Sequence, residues 1–174
     1  MTTVQVARKQ PNSRMCLVCG LKNPFGLKSE FYELANGELV AVFSGRPEHQ
    51  SYPGRLHGGL ATALLDETIG RAILAGSDEE VWGVTLEFST TFRKAIPLGV
   101  ELRIRGRITE NGGRVFKGTG ELLLPDGTIA ATGAGRYMKM PLAKIAEFDI
   151  EAQEWRVTPG VSDPEMFIFP DTEA

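Results

Sequence analysis

Apolar and polar residues alternate with a period of two along most of this chain, and the pattern changes once to the near-continuous apolarity of a helix and once back. Residues 27–34 and 38–44 read as two strands joined at Asn36-Gly37, a pair that supplies the positive φ angles of a tight two-residue turn. Residues 46–56 hold Pro47, Pro53 and Gly54 and read as an irregular loop. From Gly58 to Ala75 the residues include Leu60, Ala61, Ala63, Leu64, Leu65, Ile69, Ala72, Ile73 and Leu74. Apolar side chains point in nearly every direction, which predicts a helix buried all round; Asp66, Glu67 and Arg71 carry its charge. Four strand-like stretches follow, at residues 81–94, 100–108, 114–124 and 128–140. Pro97 to Gly99, Asn111-Gly112-Gly113 and Pro125-Asp126-Gly127 connect them, so antiparallel pairing in sequence order is expected. In the second of these, Leu102, Ile104, Gly106 and Ile108 alternate with Glu101, Arg103, Arg105 and Arg107, which separates a packed face from a polar one. The order is ββ-helix-ββββ, an α+β class in which a long antiparallel sheet buries its apolar face by curling around one central helix.

Residues 1–26 form a lead-in segment, residues 27–140 the domain, and residues 141–174 an acidic, turn-rich tail. Trp155, Phe167, Ile168 and Phe169 suggest that the tail docks on the domain. At 174 residues, 42% hydrophobic and 24% charged, the chain fits one ordinary domain with a full core. Nineteen basic against 22 acidic residues, a net charge of −3, leave no electrostatic footprint for nucleic acid or an anionic membrane. The polar N-terminus and the lack of an apolar run of about 18 residues give no export or membrane signal, so the cytoplasm is expected. Two cysteines, Cys16 and Cys19, are too few for a disulfide framework. As a metal site, Cys16-x-x-Cys19 is half of a tetrahedral set with no second pair, so no metal is expected. Walker, HExxH and GxSxG motifs do not occur.

The chemistry concentrates at the start of the helix. His57-Gly58-Gly59-Leu60-Ala61-Thr62-Ala63-Leu64-Leu65-Asp66-Glu67 resembles the HGG-x6-[DE] signature of phenylacetyl-CoA-type (PaaI-like) hotdog thioesterases, with the acid nine positions after the histidine. The run Cys16-Leu17-Val18-Cys19-Gly20-Leu21-Lys22-Asn23-Pro24-Phe25-Gly26-Leu27 is similar to the segment that leads into the first strand in many members of that superfamily. The resemblance covers residues 16–140. It implies the hotdog fold, hydrolysis of an acyl-CoA thioester with no cofactor beyond the coenzyme A of the substrate, and a homodimer or homotetramer. It also implies Asp66 as general base or nucleophile, the Gly58 amide as the donor that polarises the carbonyl, and His57 as the residue that shapes the turn. Thr85 matches a serine or threonine that assists the attacking water in some relatives. Where relatives place Asn or Gln six residues before the histidine, this chain has Ser51, with Gln50 adjacent; either is a candidate substrate contact.

Physical chemistry supports the assignment. Amides in the first turn of a helix have no partner within it and carry the positive end of its dipole, so a carbonyl lodged there is polarised as it becomes an oxyanion. Glycines at Gly58 and Gly59 allow close approach. An aspartate on an apolar helix has a raised pKa and suits proton transfer, either to activate water or to attack directly. At about 1.5 Å per residue, Asp66 lies roughly 12 Å along the axis from Gly58, so one helix alone does not bring both to one carbonyl. Two helices antiparallel about a two-fold axis do.

Simpler roles compete. Glu67 precedes Arg71 by four residues, the favourable order for a helical ion pair. Threonine at 85 also suits a strand, and His57 also suits a cap. Arg93 and Lys94, with Arg103, Arg105 and Arg107, are candidate contacts for coenzyme A phosphates, although arginine rows also form plain solvated faces. A hotdog hydratase using His49 and Glu67, and an acyl-CoA-binding protein without catalysis, are the rival functions. The acyl group itself is not legible.

Overall fold

The structure, a computed structural model, describes residues 1–76, 81–147 and 149–170. Its first hairpin joins β2 (Glu30–Leu34) to β3 (Leu39–Ser44), with Glu33 opposite Leu39. The connection has three residues, 35–37, where a two-residue turn was expected. The Leu34 N–H donates to Glu38 O at 2.8 Å, and the Gly37 N–H turns back to Leu34 O at 2.9 Å. Gly37 alone supplies a positive φ, +83°, while the Asn36 side chain accepts the Glu38 amide; this is a turn followed by one left-handed residue.

The helix α1 (Gly58–Arg71) follows and ends in one 3₁₀ turn, Ala72–Leu74. After it come β4 (Val81–Phe92), β5 (Glu101–Asn111), β6 (Val115–Leu123) and β7 (Ile129–Pro141). Two strands lie in segments read from sequence as lead-in and tail: β1 (Thr2–Lys9) and β8 (Met166–Phe169). All eight form one antiparallel sheet in the order β4-β7-β6-β5-β3-β2-β1-β8.

Sequential pairing holds for β5, β6 and β7 and fails for β4, which pairs with β7 and leaves β5 to join β3. Backbone hydrogen bonds explain the exchange. Leu56 N–H donates to Ile96 O at 2.9 Å and Gly99 N–H to Gly45 O at 2.8 Å, which pins the β4–β5 connection against the loop before α1. The chain is thereby carried across the helix entrance, and β5 lands beside β3.

The sheet curls around α1. Phe31, Leu39, Leu102, Ile104 and Leu122 on its inner face meet Leu64 and Leu65, all of them at most 0% exposed. The helix is not buried all round: Gly59 is exposed, and Leu60, Ala63, Asp66 and Glu67 are only partly covered, leaving one open stripe. On the outer face, Phe167 and Phe169 of β8 join Tyr32, Val40 and Leu123 in a second cluster, so the far end of the sheet docks back over its own strands. The arginine row is consumed there. Arg105 pairs with Glu38 at 2.6 Å, Arg103 with Glu101 at 2.9 Å, and Arg107 with Glu38 and Glu121. Arg103 and Arg105 also lie over the Phe167 and Phe169 rings, so the row holds the tail down and is not a free phosphate surface. Among the described residues, no helix is long and apolar enough to cross a membrane.

Close contact between helix and sheet depends on glycine. A Cβ at Gly118 of β6 would lie 2.5 Å from Ile69 Cγ2 and 2.8 Å from Arg107 O, a backbone atom with no room to yield. Gly118→Ala is expected to cost about 1–3 kcal/mol, read as a lower denaturation midpoint at unchanged slope.

Candidate active site

His57 caps α1: its Nδ1 accepts the Gly59 N–H at 2.9 Å, and its own N–H donates to His49 O at 2.9 Å. The Gly59 amide is therefore engaged inside the cap. The Gly58 amide has no acceptor among the described residues and stands at the positive end of the helix. The Phe92 ring, at the end of β4, stands 3.3 Å from where a Gly58 Cβ would project. Arg93 and Lys94 come next, both exposed, with their amides on Ala130 O. Gln50 and Ser51 are exposed in the preceding loop, where Gln50 Oε1 accepts the Gly54 N–H at 2.8 Å and Ser51 N–H donates to Arg55 O.

Asp66 sits eight residues further along, on the open stripe. Thr85 Oγ1 lies 3.0 and 3.1 Å from its two carboxylate oxygens and donates to them. A β-bulge in β4 between Thr85 and Glu87 re-aims the strand at this point. Tyr137 of β7 donates its hydroxyl to the main-chain oxygen of Asp66 at 3.3 Å. Burial pushes the Asp66 carboxyl above its ordinary value, and the Thr85 hydrogen bond draws it only partly back. The neighbouring Glu67 is engaged instead: Arg71 Nε donates to it at 2.9 Å, the expected helical ion pair.

Asp66 and Thr85 open on a cavity of about 520 Å³ whose walls also include Trp82, Tyr137, Cys16 and Trp155. Two of these walls were not read from sequence. The lead-in folds over the C-terminal end of α1, with Gln10 Nε2 donating to Arg71 O at 3.4 Å and Arg71 Nη1 donating to Pro11 O at 3.0 Å. The tail places Trp155 edge-on to Trp82, 4.9 Å between ring centroids, and over the Arg71 guanidinium. The apolar Trp155 in an acidic tail was the one sequence sign of this contact; which surface it covers depends on the fold.

The single chain thus brings Asp66 and Thr85 together and keeps His57, Gly58, Gly59, Gln50, Ser51, Arg93 and Lys94 as a separate group at the other end of the helix. His49, the alternative acid–base residue, is buried and structural: its Nδ1 accepts the Arg46 N–H, and its Nε2 meets Phe25 O at 2.9 Å.

One central helix wrapped by a long antiparallel sheet is the hotdog fold. A family model, the thioesterase superfamily, matches residues 53–131, which span the helix entrance, Asp66 and Thr85. A solved thioesterase superfamily protein is 26% identical over 72% of this chain and 60% of its own, with a TM-score of 0.65, so the chain spans about three-fifths of that protein's length. A thioesterase from Haemophilus influenzae (15% identity, 71% and 86% covered, TM-score 0.63) shares the fold. So does the Escherichia coli PaaI protein from the phenylacetic acid degradation operon (15%, 66% and 80%, TM-score 0.59).

The raised Asp66 value has a consequence for stability. The folded protein holds this proton more tightly than the unfolded chain, so the stabilisation is present below the ordinary carboxylate value of 3.8 and is lost as pH rises through the raised one. Asp66→Asn, which keeps the site neutral, is expected to raise Tm at pH 7, with the gain shrinking as pH falls; thermal melts across that range check it.

Proposed function

We propose that the protein hydrolyses an acyl-CoA thioester to a carboxylic acid and free coenzyme A, with Asp66 as the reactive carboxylate. The observation that carries this reading is the Asp66–Thr85 pair at the mouth of a cavity: a half-buried acid with a raised pKa, hydrogen-bonded by a hydroxyl and paired with no cation among the described residues. Asp66 takes a proton from water as that water attacks the carbonyl carbon. The oxyanion is held by an amide at a helix N-terminus, the C–S bond breaks, and the departing thiolate recovers the proton. Thr85 spends its hydroxyl proton on the carboxylate, which fixes the carboxylate's orientation and favours water activation over direct attack by Asp66.

The amide comes from a second copy of the chain. Gly58 and Asp66 occupy opposite halves of one helix, so a two-fold arrangement brings one copy's Gly58 to the other's Asp66, with Arg93, Lys94 and Gln50 or Ser51 placed to meet the coenzyme. Two features favour such a dimer. The helix stripe that carries Asp66 is open, and β4, twelve residues long, is an edge strand with β7 on one side only. The hydratase reading loses its residues, since His49 and Glu67 are both held in structural contacts.

Incubation with a panel of acyl-CoA thioesters, with free thiol as the readout, tests the activity. Asp66→Asn is expected to lower kcat by about 10²–10⁴-fold. Tight binding without release of thiol from any thioester would instead make this a binding protein. The acid limb of the rate profile should lie above the ordinary 3.8 of a carboxylate and move higher in Thr85→Ala, which removes the hydrogen bond that lowers the Asp66 pKa.

Gly58→Pro deletes the amide donor at a helix position where proline is accepted, and Phe92 yields by a few tenths of an ångström to its ring. Mixing inactive Asp66→Asn with inactive Gly58→Pro should restore about a quarter of wild-type activity, since about half the dimers are mixed and each holds one intact site. No recovery after subunit exchange would place both groups in one chain.

A further inference from the structure

The thioester chemistry leaves one reactive cluster in the cavity wall unused. Cys16, Cys19 and Glu67 place their sulfur and oxygen atoms within 4.8 Å of one another, and all three line the cavity that Asp66 opens on. The cluster is not built for a cation. Arg71 Nη2 donates to Cys19 Sγ at 3.1 Å, and the same guanidinium pairs with Glu67, so a fixed positive charge already stands against two of the three ligands. Arg71 is itself immobilised between the Phe31 and Trp155 rings, at 4.2 and 4.9 Å, with Nη1 on Pro11 O. A rigid guanidinium beside a sulfur stabilises the thiolate over the thiol.

The two sulfurs have different roles in this network. Cys19, 1% exposed, accepts from Arg71 and lies 3.4 Å from Ser13 Oγ. Cys16, half-buried, donates its S–H to Glu67 Oε2 at 3.3 Å and receives the Val18 and Cys19 amides on its sulfur. The cysteines lie in one turn, closed by Gly20 N–H to Cys16 O at 2.8 Å, and residues three apart in such a turn lie within the roughly 4.4–6.8 Å Cα separation that a disulfide spans. The neighbouring Cys16 thiol and the Arg71 charge pull Cys19 down to about 7, and Cys16 is pushed up in turn.

We infer that Cys16 and Cys19 form a peroxide-reactive dithiol in the cavity wall, with Cys19 as the attacking thiolate and Cys16 as the resolving thiol. Cys19 attacks one oxygen of hydrogen peroxide and breaks the O–O bond. The sulfur becomes a sulfenic acid, and the hydroxide released takes a proton to become water. The Cys16 sulfur then displaces the second hydroxyl, its proton leaving with that hydroxyl as water, and the Cys16–Cys19 disulfide remains. Two thiols and one peroxide give one disulfide and two waters. The cavity admits an oxidant of this size, and no step depends on thioester hydrolysis.

Since the full chain has only these two cysteines, peptide mass mapping after peroxide treatment reads the site directly. Both thiols should disappear together into an intramolecular disulfide. Dimedone present from the start should label Cys19, in the wild type at early times and persistently in Cys16→Ser. In Cys19→Ser, Cys16 should react about tenfold or more slowly. Labelling of Cys16 first in the wild type, a disulfide between chains, or equal rates for the two thiols would overturn the assignment.

Discussion

The leucine-rich face of α1 can leave water only if a sheet bends around it, and the remaining features follow from that packing. The bend demands small residues where strands pass closest to the helix, which is why Gly118 abuts Ile69 and Gly106 abuts Thr68. It also fixes which side of the helix stays uncovered. The strands take Leu64, Leu65 and Ile69, and the stripe bearing Ala63, Asp66 and Glu67 is left to the lead-in, the tail and the cavity.

Charge is handled in opposite ways on the two adjacent acids of that stripe. Glu67 is neutralised by Arg71, which is locked by ring faces and a backbone oxygen. Asp66 has a neutral hydroxyl donor and no cation among the described residues, so burial raises its pKa. A carboxylate held this way stores free energy at neutral pH, which a paired carboxylate does not. That contrast sets Asp66 apart from Glu67 without reference to any relative. On the outer face the arginine row meets Glu38, Glu101 and Glu121 and holds the aromatic tail in place.

Much of this was legible from local pattern. Alternation at residues 101–108 marked the two faces of β5, the apolar run marked α1, the i, i+4 spacing marked Glu67–Arg71, and the HGG-acid spacing singled out His57, Gly58 and Asp66. The errors arose where a long-range contact outweighed a local one. The 97–99 turn suggested a β4–β5 hairpin, but bonds from Leu56 to Ile96 and from Gly99 to Gly45 send the chain across the helix entrance. Thr2–Lys9 has too few apolar residues to announce a strand, and pairing with β2 and β8 makes it one.

By itself the sequence determined the element types, the single helix, and the acid and glycines that helix carries, because turn chemistry and residue periodicity act over a few neighbours. Only the tertiary structure decided that Thr85 meets Asp66, that Cys16, Cys19 and Trp155 wall the same cavity, and that the arginine row is spent on acids and rings. Thr85 and Asp66 lie 19 positions apart and Arg105 and Glu38 lie 67 apart, and strand order and sheet curvature, which no local pattern encodes, bring such residues together.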